Sequence, residues 1–350
     1  MTRSALQVKF GRPRFGHPRH VRLRRSDLTK PGYGRRRSGK GFTYLDTDGT
    51  RLTDAEAIER IKALVIPPAW TQVWISPDPR GHIQATGFDA AGRKQYLYHS
   101  VWRTTRDEEK FDHALEVAER LPKVRERLCA DLTTRGLSRD RVMAAIVRLL
   151  DMGMFRVGSA QYADREEDPS FGLSTLRPDH VRTRGGCVLL EYTGKSGIQH
   201  AATVGDGEVC VVLRDLKRRR RGEKRLFAYW DPKRGRWSEV DADEINEYLR
   251  EISGEQMTAK DFRTWHGTVK AAEVLAEQGP QPTEAKRKKA VSHAMKEVAE
   301  LLGNTPTVAR ASYVDPRVVE RFHDGEVADV DPQAPLEKAE RGVLELLTED

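Results

Sequence analysis

The sequence predicts an α+β protein, with a small, mostly β amino-terminal domain followed by a larger, mainly α-helical one that carries a β-hairpin with a lysine at its tip. Three observations predict it. Short β-like segments punctuated by Pro and Gly fill residues 41–99, and helical periodicity dominates beyond Val101. Between Cys187 and Val204, β-rich runs flank Thr193-Gly194-Lys195-Ser196-Gly197, a turn that displays Lys195.

In the amino-terminal region, Phe42 to Asp46 and the Asp48-Gly49 turn are followed by β-like stretches at Val73 to Ser76 and His82 to Ala85. The last strand is Lys94 to His99, where Tyr96 and Tyr98 fall two apart and share a face. Helices are expected from Asp107 to Leu121 and from the N-cap Ser138, with Val142, Ile146, Leu149 and Leu150 on one stripe. Thr258-x-x-Asp261 has the form of a capping box, which puts Lys260 and Arg263 in the first turns of the next helix. A further stripe, Val291, Ala294, Met295, Val298, Leu301 and Leu302, stops at Gly303, a natural C-cap. Thr305-Pro306 then starts a short helix that ends near Tyr313, and Asp315-Pro316 repeats the signal.

A chain of 350 residues accommodates two domains, and the predicted division is a basic arm over 1–40, a β-rich domain over 41–105 and a helical domain over 106–350. Apolar residues make up 38% and charged residues 33%, and no apolar run approaches the roughly 18 residues of a membrane span. Lys and Arg outnumber Asp and Glu by 61 to 53, which favours a polyanionic partner such as nucleic acid, although positive charge also serves solubility. The asymmetry peaks in the first forty residues, where thirteen basic side chains face one acid, Asp27. That stretch reads as a solvated tail, as an arm on phosphates, or as both. It has no apolar segment of the kind a secretory signal needs. The basic run Lys217 to Arg221, with Lys224 and Arg225, lies between β-like segments and reads equally as a solvated loop or a phosphate contact. Cys129, Cys187 and Cys210 are odd in number and lack Cys-x-x-Cys spacing, so neither a disulfide framework nor a zinc site is indicated and a reducing cytoplasm is expected.

A phosphate-binding Gly-x-x-x-x-Gly-Lys-Ser/Thr loop, His-Glu-x-x-His and a nucleophile elbow are all missing, which weakens readings based on ATP or zinc. Glu166, Glu167 and Asp168 form an acidic cluster that suits a solvated loop better than a magnesium site. What stands out is an ordered series: Arg156, Lys195, Lys260-x-x-Arg263, Asn304 and, nine residues later, Tyr313. Taken singly, each cation suits an ion pair and the tyrosine suits a core or interface. Their order and local contexts change that weighting.

Those contexts are Ile66-Pro67-Pro68-Ala69-Trp70, Gly81-His82-Ile83-Gln84-Ala85-Thr86-Gly87 and Gly92-Arg93-Lys94-Gln95-Tyr96-Leu97-Tyr98-His99 in the first domain. In the second they are Phe155-Arg156-Val157-Gly158, Phe171-Gly172-Leu173-Ser174-Thr175-Leu176, Tyr192-Thr193-Gly194-Lys195, Lys260-Asp261-Phe262-Arg263-Thr264-Trp265-His266-Gly267-Thr268, Leu302-Gly303-Asn304-Thr305-Pro306 and Ser312-Tyr313-Val314. Over nearly its whole length the chain resembles the short, single-chain branch of type IB DNA topoisomerases found in bacteria and viruses, which share a catalytic fold with tyrosine recombinases.

The resemblance implies that Tyr313 attacks a DNA phosphorus, that Arg156, Lys195 and Arg263 complete the active site, and that residues 106–350 are the catalytic domain. Asn304 stands where many relatives have His; it keeps a hydrogen bond to a phosphate oxygen available but brings no ionisable group. His266 is expected to pack rather than react. The residue types suit the chemistry. Guanidinium forks match the charge that builds on non-bridging oxygens, and a lysine with a depressed pKa can protonate the leaving 5′ oxygen. A 3′-phosphotyrosyl ester conserves the energy of the broken bond, so religation needs no nucleotide, and neither a cofactor nor a metal is expected.

The implied partner is duplex DNA, held by a monomer clamped around it in the cytoplasm at the nucleoid, with no membrane attachment. Arg93, Lys94, Gln95, Tyr96 and Tyr98 form a surface suited to phosphates and base edges, although a sheet packed on a core gives the same alternation; Gln84 and Lys260 are further expected DNA contacts. Two rivals remain open: a tyrosine recombinase, which usually carries a helical rather than β-like first domain, and a non-enzymatic basic DNA-binding protein.

Overall fold

A computed structural model describes residues 22–39, 41–184, 187–219, 224–254, 256–331 and 334–349. Two compact units divide the chain, one ending at Lys110 and the other spanning Phe111–Glu349.

The first unit is an antiparallel sheet. Its elements are β1 (Tyr33–Ser38), β2 (Gly41–Leu45), α1 (Ala55–Ala63), β3 (Thr71–Ile75), β4 (Ile83–Phe88) and β5 (Lys94–Tyr98), with strand order β2-β1-β3-β4-β5. Leu52, Ile61, Ile66, Val73, Ile75 and Ala85 form its core. The helix α1 is not legible in the sequence because it is nine residues long and buries only Ala57 and Ile61, too few positions to establish a period. Asp54 caps it through the amides of Glu56 and Ala57.

The basic arm, expected to reach Lys40, ends earlier. Tyr33–Ser38 is a strand paired on both sides, with β2 and with β3, and Arg24 bridges Gly81 ahead of it. Its arginines disguise it: Arg35 turns its guanidinium onto the carbonyls of Ile66, Pro67 and Trp70 at 2.8 to 2.9 Å. The part of the arm before Arg22, and Lys40 itself, lie outside the described residues.

Helix α2 (Ser100–Leu132) starts seven residues before the expected Asp107 and continues past Pro122, so the anticipated division at residue 105 falls within a helix. Then follow α3 (Arg139–Leu150), α4 (Ala160–Ala163), β6 (Val181–Arg184), β7 (Cys187–Thr193), β8 (Gln199–Val204) and α5 (Gly207–Arg218). Strands β6, β7 and β8 form an antiparallel sheet in that order, and β7 and β8 make the expected hairpin. The remaining elements are β9 (Ala228–Asp231), β10 (Arg236–Glu239), α6 (Ala242–Ser253), α7 (Ala259–Gln278), α8 (Glu284–Leu302), α9 (Pro306–Ser312), α10 (Pro316–Asp324) and α11 (Leu336–Thr348).

The basic run after residue 216 follows a helix rather than a β segment. Lys217 and Arg218 form the last turn of α5, where cations meet the negative end of the helix dipole, and residues 220–223 lie outside the described residues. Lys224 and Arg225 pair with Asp164 at 3.0 and 2.6 Å. Among the described residues, no helix is long and apolar enough to cross a membrane.

Helix α7 is the axis of the second unit, since every residue from Phe262 to Val269 is buried. A buried ionic network lies along it. Arg125 makes a two-pronged pair with Asp151 at 2.8 Å and a second with Glu340 at 2.6 and 2.9 Å, while Glu340 also accepts from the Trp265 indole. The network ties α2, the end of α3 and α11 to α7, the helix that carries Arg263.

Candidate active site

Four separate segments of the second unit deliver side chains to the end of α8. Helix α8 stops because Gly303 adopts the left-handed conformation (φ 58°), which leaves the last carbonyls of the helix without intrahelical partners. Two guanidiniums take them. Arg263 donates to the Leu302 carbonyl at 2.7 Å and to that of Met154 at 3.3 Å. Arg156 donates to the carbonyls of Leu302 and Gly303, both at 3.2 Å, and to Oδ1 of Asn304 at 2.7 Å. The Arg156 backbone is fixed in turn by the Leu173 amide, which donates to its carbonyl at 2.9 Å.

Elsewhere in this unit, Arg125, Arg139, Arg148 and Arg317 are all paired with carboxylates. Arg156 and Arg263 have no carboxylate partner among the described residues; helix-end carbonyls hold them instead, where the dipole favours cations. Two cations with uncompensated charge make a receptor for an anion. Burial first, and then the charge of Arg156, pushes Arg263 down to about 10, so it remains protonated at neutral pH. Two buried donors in this cluster, Arg263 Nε and Asn304 Nδ2, have no hydrogen-bond partner among the described residues. Leaving such groups unmade is costly, which marks them as donors awaiting an acceptor.

Tyr313 completes the cluster at the end of α9, where Thr305 caps the helix and Pro306 opens it as the sequence reading expects. The Arg263 guanidinium lies 5.2 Å from the centre of the Tyr313 ring. Burial would raise the phenol's pKa, but the charges and hydrogen bonds of Arg263 and Arg156 outweigh it and hold the group below its ordinary 10. Tyr192, buried on β7, shows the opposite balance: burial pushes its phenol up to about 12 despite the same two arginines. Of the two tyrosines, only Tyr313 is eased toward its anion.

Two further residues set the position of Tyr313, and both lie in the Lys260–Thr268 segment, where only Lys260, Arg263 and His266 stand out in the sequence. Gly267 lies one helical turn beyond Arg263, and a Cβ there would stand 2.7 Å from the Tyr313 carbonyl and 3.2 Å from Leu302 Cδ1. The Thr268 hydroxyl reaches the carbonyls of Thr264 and Tyr313 at 3.0 and 3.3 Å and accepts from the Asp315 amide at 3.1 Å. A glycine inside a buried helix is the available signal, because it sacrifices helix propensity for close approach. His266 is buried, stacked on Phe262 and 3.4 Å from Asp151, in keeping with a packing role.

Lys195 sits at the tip of the β7–β8 hairpin, exposed, with no hydrogen bond or ion pair of its ammonium among the described residues. Lys260 is exposed in the first turn of α7. In the first unit, Lys94, Tyr96 and Tyr98 point to the exposed face of β5, so the two tyrosines are not core residues; their rings stack with centres 6.1 Å apart. Gln95 points to the other face, and it and Arg93 are bound to Asp89 at 2.9 and 2.8 Å. Gln84 is a correction. It is 3% exposed, donates to the carbonyls of Gly81 and Pro79 and accepts from Arg60, so its amide is consumed in the fold and is not available to DNA.

Residues 99–333 match the family described as eukaryotic DNA topoisomerase I, catalytic core, and residues 41–89 match bacterial DNA topoisomerase IB, N-terminal domain. The chain is 32% identical to DNA topoisomerase 1B of Acanthamoeba polyphaga mimivirus over 289 residues, which cover 81% of this chain and 85% of the viral protein. It is 20% identical to DNA topoisomerase 1B of Vaccinia virus (strain Copenhagen) over 84% of this chain and 91% of that protein. With DNA topoisomerase 1 alpha of Arabidopsis thaliana it shares 24% identity over 58% of this chain and 21% of the plant protein. The chain belongs to the type IB DNA topoisomerases. The amino-terminal match is likewise to a topoisomerase IB domain.

Proposed function

We propose that this protein relaxes supercoiled duplex DNA by cutting one strand with Tyr313, letting the cut strand rotate, and resealing it without ATP or a metal. The observation that carries the reading is the pairing of Tyr313, its phenol eased toward ionisation, with two arginines whose charge no carboxylate among the described residues neutralises.

The scissile phosphate enters that cluster as the missing anion. The Nε of Arg263 and Nδ2 of Asn304, unpartnered among the described residues, bind its non-bridging oxygens with the guanidinium of Arg156 and stabilise the charge that grows on them during in-line attack. The bond from the Tyr313 oxygen to phosphorus forms as the bond from phosphorus to the 5′ oxygen breaks. The phenolic proton leaves to solvent, and the 5′ oxygen takes a proton from the Lys195 ammonium. Resealing runs the same steps backward, driven by the phosphotyrosyl ester itself. Lys94, Tyr96 and Tyr98, aligned on the open face of β5, and Lys260 on α7 hold DNA outside the reacting phosphate.

The test is denaturant trapping on labelled duplex DNA. The expected result is a protein covalently attached to a DNA 3′ end, lost in Tyr313→Phe while DNA affinity persists. Relaxation by Tyr313→Phe would sink the assignment, and binding without any covalent capture would favour a non-enzymatic DNA-binding protein.

A further inference from the structure

The lysine-bearing turn has a well-defined shape but little that aims it. The Gly194 amide donates to the Ile198 carbonyl at 2.7 Å, the Gly197 amide donates to the Gly194 carbonyl at 3.2 Å, and Gln199 Nε2 donates to Thr193 Oγ1 at 2.9 Å. All three bonds are internal to the hairpin. At its base, the Phe171 amide donates to the Thr193 carbonyl at 2.8 Å, which anchors β7. The β8 side needs its own anchor, because Lys195 is a flexible stem whose ammonium must reach one oxygen atom.

His200 on β8 is placed to supply that anchor. It is the cross-strand partner of Tyr192, and the two rings stack with centres 5.1 Å apart and planes 16° from parallel. The imidazole lies hard against two backbones. A Cβ on Gly194, the residue before Lys195, would come within 2.4 Å of His200 Cδ2, and one on Gly303, the residue before Asn304, within 3.2 Å of Cε1. One half-buried ring therefore touches the chain on either side of the site, next to the lysine at one edge and next to the asparagine at the other. Burial first, then the charges of Arg156 and Arg263, lowers its pKa, so a neutral ring fills the gap without repelling the arginines.

We propose that His200 is a positioning residue: wedged between Gly194 and Gly303 and stacked on Tyr192, it sets the Lys195 turn in register with the Arg156–Asn304 cluster so that the ammonium meets the leaving 5′ oxygen. This rests on Lys195 being the proton donor to that oxygen. A residue that acts only through Lys195 matters only as far as the leaving group needs a proton, and sulfur at the bridging 5′ position leaves readily as a thiolate without one.

Single-turnover cleavage by the full chain on matched oxygen and sulfur substrates, for wild type, Lys195→Ala, His200→Ala, His200→Phe and Lys195→Ala/His200→Ala, tests it. General acid catalysis contributes about 10²- to 10⁴-fold, so His200→Ala slows oxygen cleavage by no more than Lys195→Ala does, and sulfur restores most of the rate to both. The double variant is no slower on oxygen than Lys195→Ala alone. His200→Phe keeps the ring and its stack and stays within about tenfold of wild type on oxygen, well short of the loss expected of a missing acid. If sulfur rescues Lys195→Ala but not His200→Ala, or if His200→Phe is as slow as His200→Ala, the positioning role is overturned and the acid role stands. If sulfur fails to rescue Lys195→Ala itself, the acid role falls and the proposal falls with it.

Discussion

Arg156 donates to the side-chain oxygen of Asn304 at 2.7 Å, and this bond orients the amide so that its nitrogen, buried and without a partner among the described residues, is left as the available donor. One arginine thereby fixes the direction of a neighbouring hydrogen bond while its own charge meets no carboxylate among the described residues.

Removing that donor tests the arrangement. Asn304→Ala should lower single-turnover cleavage by about 10²-fold, the usual loss for one preorganised donor to developing negative charge. Asn304→Asp should be worse, because it keeps the bond to Arg156 but sets a carboxylate beside the phosphate. Asn304→His, which retains an N–H, should be the mildest of the three. Rapid-quench cleavage rates order the variants, and a wild-type rate for Asn304→Ala would remove this residue from the site.

The lowered pKa of Tyr313 predicts the shape of a pH profile. Burial opposes ionisation, and Arg263 followed by Arg156 more than offsets it, so the phenolate is reached at a lower pH than for a free tyrosine. Cleavage should rise with pH and level off below 10. Arg263→Ala removes the larger positive contribution, so its profile should move to higher pH as well as fall. A uniform drop with no movement of the profile would confine Arg263 to the phosphate.

The proposed mechanism uses arginines in place of a metal, which leads to a third expectation. Plasmid relaxation should proceed at an undiminished rate in EDTA and without nucleotide, since guanidiniums stabilise the charge and the phosphotyrosyl ester stores the bond energy. An absolute requirement for a divalent cation or for ATP would contradict the proposed mechanism.

What the sequence reveals and what it hides follow from the range of the interactions involved. The starts of α3, α7, α9 and α10 are legible because Ser138, Thr258, Thr305-Pro306 and Asp315-Pro316 act within three residues of themselves. Arg156, Arg263, Asn304 and Tyr313 are legible through an ordered series of contexts, and the fold brings all four to one helix end. The strand β1 is hidden because its signature is three arginines in a row, one of which is satisfied by carbonyls some thirty residues away. Gln84 looks like a DNA contact for the same reason: no local pattern discloses that Arg60 and the 79–81 turn already use its amide. His200 carries no motif, and its place beside Gly194 and Gly303 exists only once the hairpin meets the end of α8.

The network beneath α7 gives a prediction about stability. Asp151 is 3% exposed and takes both prongs of Arg125, a further bond from Arg148 at 2.9 Å and a contact with His266 at 3.4 Å. Burial alone would raise its pKa; the hydrogen bonds and charge of Arg125 prevail, with a contribution from His266, and bring it down to about 2. A carboxylate whose pKa is lower folded than unfolded contributes stability that is complete above its unfolded value near 4 and is lost as pH falls toward 2. Removing one partner of a buried charge pair costs about 3 to 5 kcal/mol, because the other charge stays buried without compensation. Asp151→Asn, which keeps the shape and removes the charge, should therefore be destabilised by an amount of that order at pH 7. The gap from wild type should close progressively below about pH 4, as the wild-type carboxylate takes up its own proton. Urea unfolding of both proteins from pH 7 to pH 3 measures it. A gap that stays constant over that range would mean the amide fails through its shape or hydrogen bonding, and the charge of Asp151 would not be what binds α2 and α3 to the helix that carries Arg263.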